Sequence, residues 1–214
     1  MKILVIAAHP DDEVLGMGGT IKKYSKKGAK ITLCVISEGV TAQYLDKKMI
    51  EVRKDSCRKS SKILGIDKII FFDFPDMKLD TISQLEINQK LEKVILKINP
   101  DIVFTPEPDQ NNDHRIVFES TLIATRPKNN KIKNILTYEI PSFSTTHFNP
   151  TMYENIENEF EIKIKAFKCY KTEIERFPHP RSIKSVENLA EHRGIKSGLS
   201  KAEAFRIIRK TNLI

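Results

Sequence analysis

An unbroken apolar run at residues 3–8 gives way at once to His9, Pro10, Asp11, Asp12 and Glu13. A run without polar alternation fits a strand buried on both faces, and α/β folds place ligands at the carboxyl ends of such strands. Runs of strand length recur at 31–36, 68–72, 102–105 and 135–140. Between them, helical spacing covers 15–27, 47–64, 84–98 and 115–125, with Gly28 and Gly65 where helix C-terminal glycines are expected. This alternation predicts an α/β protein, a Rossmann-like three-layer sandwich with a mostly parallel central sheet.

Beyond residue 140 the pattern changes. The Asn- and Thr-rich SFSTTHFNPTMYENIEN leads to an amphipathic stretch at 161–175, then FPHPRS and a last basic helical segment. No linker or repeat separates these parts, so residues 1–214 are expected to form a single domain, with the C-terminal elements packed on the sheet as one wall of the site. A chain of 214 residues with 40% hydrophobic content is long enough for a full core.

The formal charge of +8 raises the question of an anionic partner. Basic residues are dispersed, as in KKYSKKGAK, KKMIEVRK and KNNKIKN, and five Tyr with no Trp leave little for base stacking, so no nucleic-acid partner is expected. Three cysteines without CxxC spacing indicate neither a disulfide framework nor a thiolate metal site. No apolar stretch approaches the roughly 20 residues needed to span a bilayer. The chain reads as a soluble cytoplasmic protein, and a homo-oligomer is compatible with the sequence.

Three carboxylates and an imidazole at a strand tip add nothing to a packed core and call for a cation; His with Asp fits zinc or another divalent metal. His9 and Asp12 flank a turn that Pro10 keeps out of helix, so both can face one ion. A catalytic zinc takes three protein ligands and an open position for water. The best third ligand is His114, because its segment follows the strand at 102–105 and lies at the same sheet edge. Asp113 beside it can orient an imidazole. Asp11 is then free to act as general base on a metal-bound water whose pKa is lowered toward neutrality.

AHPDDEVLGMGG, together with DHRIVFESTLIATRP, YEIPS, the FxP near Pro150 and PHPRS…RG…G…AEAF, resembles the LmbE-like or PIG-L family of zinc-dependent de-N-acetylases. The match runs in order along nearly the whole chain. The resemblance implies an LmbE-like fold, zinc held by His9, Asp12 and His114, Asp11 as base, and removal of an N-acetyl group from an amino sugar or its conjugate. One position departs from the family's His-x-Asp-His motif: Asn111 stands where the first His stabilises the oxyanion and protonates the leaving amine. An amide can donate to an oxyanion but cannot deliver a proton at neutral pH. His179 of PHPRS is therefore taken as the replacement acid.

Arg53 matches a family arginine, and Arg181 and Arg193 fall in the C-terminal blocks. A guanidinium suits a phosphate or carboxylate, so Arg53 and Arg181 are candidate binders of a nucleotide diphosphate or an acidic sugar, with solvated ion pairs as the plainer reading of Arg53 and Arg193. Gly16, Gly18 and Gly19 lack the order G-x-G-x-x-G and are read as close helix packing. His147 and His192 are read as surface or core residues, Phe71, Phe72 and Phe74 as core, and Asp73 and Asp76 as loop caps. Two rivals accompany the deacetylase: a metal-binding pseudoenzyme that recognises a sugar conjugate without turnover, and an amidase acting on a non-sugar N-acyl compound.

Overall fold

The computed structural model describes residues 1–127, 132–143 and 147–211. Its strands are β1 (Lys2–Ala7), β2 (Lys30–Ser37), β3 (Lys68–Phe74), β4 (Ile102–Pro106), β5 (Asn134–Tyr138), β6 (Met152–Asn155) and β7 (Ala202–Lys210). They form one seven-stranded sheet in the order β3-β2-β1-β4-β5-β7-β6. The first five are parallel, and β7 runs antiparallel to both β5 and β6.

The absence of alternation in β1 has a direct structural counterpart. Ile3, Val5 and Ala7 enter the core on one face, while Leu4, Ile6 and Ala8 enter the core on the other. Helices α1 (Asp12–Lys26), α2 (Lys48–Leu64), α5 (Phe160–Phe167) and α6 (Ile183–Ser197) cover the first face through residues such as Leu15, Leu64, Phe167 and Val186. Helices α3 (Gln84–Ile98) and α4 (Asn112–Ala124) cover the second through Leu91, Ile95 and Val117. Each fully buried Leu or Ile contributes about 1.5–3 kcal/mol, so a strand apolar on both sides anchors both layers.

After β1 the chain goes to β2 on one side, and after β3 it returns to β4 on the other. The crevice between the carboxyl ends of β1 and β4 is thus a topological switch point, the place where open α/β sheets bind ligands. No described helix is long and apolar enough to cross a membrane.

The C-terminal reading is corrected. The last basic segment is helix α6 followed by strand β7, β6 was not foreseen, and the helix within 161–175 ends at Phe167. Helices α1 and α4 each begin three residues before their expected starts, which brings Asp12 and His114 into first turns. Close packing at the glycines holds: a Cβ on Gly16 would run into the Tyr138 ring and lie 2.7 Å from the Glu139 carbonyl oxygen.

Helix α1 is broken at Met17 (φ −147°, ψ 24°). Below the break, the Glu203 carboxylate accepts hydrogen bonds from the Gly19 and Thr20 amides at 2.9 and 2.7 Å. Above it, Lys163 Nζ donates to the Leu15 carbonyl at 2.7 Å and pairs with Glu203 at 2.6 Å. Both side chains are buried. Removing one partner of a buried pair leaves an uncompensated charge, so Lys163→Met is expected to cost about 3–5 kcal/mol in urea unfolding. A loss under about 1 kcal/mol, the range of an exposed pair, would show that this pair is not desolvated.

Candidate active site

Asp11, Asp12 and Glu13 are all fully buried where β1 passes into α1. An uncompensated buried carboxylate costs several kcal/mol, so each must be matched, and each is matched differently. Asp12 Oδ2 accepts from the His9 backbone amide at 2.8 Å, closing the turn around Pro10. Glu13 accepts from the Asp11 amide at 3.1 Å and from the Tyr170 hydroxyl at 2.7 Å; burial pushes its carboxyl up to about 8, against the Tyr170 hydrogen bond. Asp11 sits at φ 134°, a backbone conformation strained for any residue with a Cβ and characteristic of functional sites.

His9 and His114 face each other with ring centroids 5.3 Å apart. His9 Nδ1 lies 3.6 Å from Asp12 Oδ2, and His114 Nε2 lies 3.6 Å from Asp12 Oδ1. The far nitrogens are tethered: His9 Nε2 to Asp113 Oδ2 at 3.1 Å, and His114 Nδ1 to Asp109 Oδ1 at 3.0 Å. One donor atom from each of His9, Asp12 and His114 falls within 4.8 Å of the others. Asp12 Oδ1 and His114 Nε2 are buried and have no hydrogen-bond partner. This donor set fits a divalent metal. Burial pushes the Asp12 carboxyl up, but His114 and His9 outweigh it and hold Asp12 well below the usual carboxylate range. Burial lowers both imidazoles, yet the surrounding carboxylates reverse it and leave both raised; a field that favours protons there equally favours a metal cation in their place.

Asp113 orients an imidazole, and that imidazole is His9. Successive residues at a helix start point in different directions, so Asp113 reaches across to β1 while also accepting from the Met77 and Leu79 amides at 2.9 and 3.2 Å. Asp109, which sequence reasoning missed, orients His114. Asp76 does cap a loop amide, its Oδ2 accepting from Ala42 at 3.4 Å, but it is also a site residue, its Oδ1 lying 3.3 Å from His9 Nε2. Asn111 caps α4: its Oδ1 accepts from the Asp113 and His114 amides at 2.9 and 3.3 Å, so its NH₂ is the end left for a ligand.

The assignment of Arg53 as a binder of an anionic substrate is corrected. Arg53 is 3% exposed; its Nη1 donates to the Pro10 carbonyl at 3.2 Å and faces Asp11 Oδ2 at 3.4 Å, while Nη2 pairs with Glu173. Arg181 pairs with Glu173 at 2.7 Å and lies 3.5 Å from Asp11. The two guanidiniums and Glu173 thus box in Asp11. Burial pushes the Asp11 carboxyl up to about 6 against the opposing pull of Arg181 and Arg53, and its Oδ1 has no partner. Arg193 lies apart from this box and pairs with Glu139.

His179 Nδ1 accepts from the Arg181 amide at 3.1 Å, which fixes the tautomer with hydrogen on Nε2, and its ring stands edge-on to Phe143. A cavity of 490 Å³ brings Asn111, His114, Glu173, His179 and Arg181 around one space. Five of the sequence-chosen residues and Asp113 therefore come to the switch point: His9, Asp12 and His114 in contact, Asp11 between His9 and Asp12 in sequence with its carboxylate turned to Arg53 and Arg181, and Asn111 at the start of α4. His179 and Arg181 form the opposite wall. His192 is exposed, as expected, and Asp73 lies outside the site, paired with Lys54 at 2.8 Å.

Residues 4–125 match the family described as GlcNAc-PI de-N-acetylase, PIG-L. Diacetylchitobiose deacetylase of Thermococcus kodakarensis is 27% identical over 97% of this chain and 83% of its own length. An uncharacterized deacetylase of Escherichia coli K12, YaiS, is 32% identical over 79% of this chain and 90% of its own. Among solved structures, N,N'-diacetylchitobiose deacetylase from Pyrococcus horikoshii superposes with a TM-score of 0.84 at 27% identity, covering 97% of this chain and 84% of that one.

Proposed function

Because the chain belongs to the PIG-L family of GlcNAc-PI de-N-acetylases, we propose that it is a metal-dependent hydrolase that removes the acetyl group from an N-acetylated amino sugar or its conjugate, releasing acetate. The observation that carries this reading is the pair of buried, unpartnered atoms Asp12 Oδ1 and His114 Nε2, 3.6 Å apart, with His114 lining an open cavity. Zinc, or another divalent ion held by His9, Asp12 and His114, supplies Lewis acidity and a more acidic water.

Asp11 takes the proton of the attacking water; its raised pKa keeps it a useful base near neutrality. Arg53 and Arg181 hold its carboxylate in place. The Asn111 NH₂ donates to the developing oxyanion, its carbonyl end being committed to the helix cap. Asp11 then returns the proton it took to the departing amine, while His179, held neutral because its Nδ1 accepts from the Arg181 amide, offers its Nε2–H as a hydrogen-bond donor to the reacting amide. Acetate and a free amino sugar follow.

A pseudoenzyme needs ligands for its ion but has no use for a strained, arginine-boxed Asp11, which favours turnover. Carriers bearing a phosphate are disfavoured as well, since both guanidiniums at the cavity are already matched by carboxylates.

The test is acetate release from N-acetylglucosamine and its oligomers by zinc-loaded protein, with a panel of non-sugar N-acyl amides alongside. Turnover of the amides in preference to the sugars would select the amidase. His179→Ala is expected to lower kcat by about 10²–10³ with metal content unchanged, through loss of the Nε2–H hydrogen bond. Unchanged kcat would show that His179 does not touch the reacting amide.

A further inference from the structure

Asp11 is held at φ 134° by hydrogen bonds to the peptides on both of its sides. The peptide before it is pinned at both ends: Arg53 Nη1 donates to the Pro10 carbonyl at 3.2 Å, and the Asp11 amide donates to Glu13 Oε2 at 3.1 Å. The peptide after it is pinned by the Val14 and Leu15 amides, which donate to the Asp11 carbonyl at 3.1 and 3.0 Å. A strained residue persists only where its surroundings over-determine it, and Glu13 supplies one of those constraints. Glu13 is itself fixed from far away in the sequence, because its Oε1 accepts from the Tyr170 hydroxyl at 2.7 Å. Tyr170 opens the turn after α5 that also carries Glu173, whose amide donates to the Tyr170 carbonyl at 2.9 Å. One turn thus supplies the anchor for Glu13 and the carboxylate that pairs with Arg53 and Arg181.

We propose that Glu13, anchored by Tyr170, is a positioning residue that sets the backbone angle of Asp11 and so aims the base. This role rests on the deacetylase reading above, in which Asp11 takes the proton of the attacking water. A carboxylate in the first turn of a helix that reaches back to the amide before it is an ordinary cap, but glutamates are almost never fully buried. Glu13 is fully buried, and so is Tyr170. Burying a carboxyl is costly, and a helix start does not require it. Neither residue belongs to the ligand trio, and neither lines the catalytic cavity. Glu13 therefore acts through Asp11. Released from Glu13, the peptide between Pro10 and Asp11 can turn and swing the Asp11 carboxylate with it, and a displacement of about 1 Å costs about 10²-fold in rate.

The experiment measures kcat, KM and bound zinc for acetate release from N-acetylglucosamine or its oligomers, using whichever sugar the zinc-loaded unmodified protein turns over fastest. Glu13→Ala is expected to lower kcat by about 10²-fold, with KM within about twofold and zinc stoichiometry unchanged. Glu13→Gln keeps an oxygen for the Asp11 amide and is expected to recover kcat to within about tenfold of the unmodified value. Tyr170→Phe removes one hydrogen bond and adds no bulk, so it carries the test should Glu13→Ala fail to fold; a fall in kcat of about 2- to 10-fold is expected. The diagnostic variant joins Glu13→Ala, or Tyr170→Phe in its place, to Asp11→Asn. With the base already gone, the second change is expected to lower kcat by less than about twofold. Unchanged kcat in Glu13→Ala or Tyr170→Phe, loss of zinc in step with kcat, or the full further loss on top of Asp11→Asn would each overturn the positioning role. Acetate release by the unmodified protein leaves the deacetylase reading standing through any of these results. Release from no sugar overturns both.

Discussion

His114→Ala is expected to abolish turnover and metal uptake together. Within the ligand trio, His114 Nε2 and Asp12 Oδ1 are buried atoms without a hydrogen-bond partner, and only His9 and Asp12 would remain as ligands. Loss of an outer hydrogen-bonding partner of a ligand typically costs 10–100-fold in affinity, so loss of the ligand itself should exceed about 100-fold. A melting experiment gives the same answer without an assay. Zinc at about 100 times its Kd should stabilise the unmodified protein by about 2.7 kcal/mol, and the variant should show no such rise. The cap on α4 comes from Asn111, so the helix start survives the change. A variant that still gains stability with zinc and still releases acetate would place the ion elsewhere.

Asp11→Asn is expected to lower kcat by about 10²–10⁴ while zinc stoichiometry stays at the unmodified value. Asn is the right replacement because it has the shape of Asp and adds no bulk at a residue whose φ is 134°. Its amide also fills the same space between Arg53 and Arg181. The variant removes one carboxylate from a box holding two guanidiniums and Glu173, so some loss of stability accompanies it; metal content measured on the folded fraction separates the two effects. Residual kcat near the unmodified value would show that Asp11 is structural and that the base lies elsewhere.

The parallel half of the fold was legible because the both-faces-buried strands have no polar alternation and the intervening helices end at Gly65 and near Gly28. Strand β7 was not. Its sequence AEAFRIIRK begins with Ala and Glu and carries three basic residues, all good helix formers, and it becomes a strand only by pairing with β5 and β6. The ligand trio was legible from local spacing plus one sheet-edge argument. Asp76 and Asp109 were not, because no pattern in the chain announces which loop acid will fold against which imidazole. Arg53 was misjudged for a chemical reason: a guanidinium that binds a ligand carboxylate binds a protein carboxylate equally well, and only the fold reveals that Glu173 and Asp11 already claim it.

The break in α1 ties together segments far apart in the sequence. Residues 12 to 16 are separated from the rest of their helix at Met17, and the groups that bracket this gap, Lys163 and Glu203, come from the last quarter of the chain. During synthesis the acidic turn therefore emerges long before β7, yet its seat is finished only when that strand arrives. Such long-range closure slows folding, and a chain cut short before residue 203 would carry every ligand for the ion without the clamp that fixes the acidic turn.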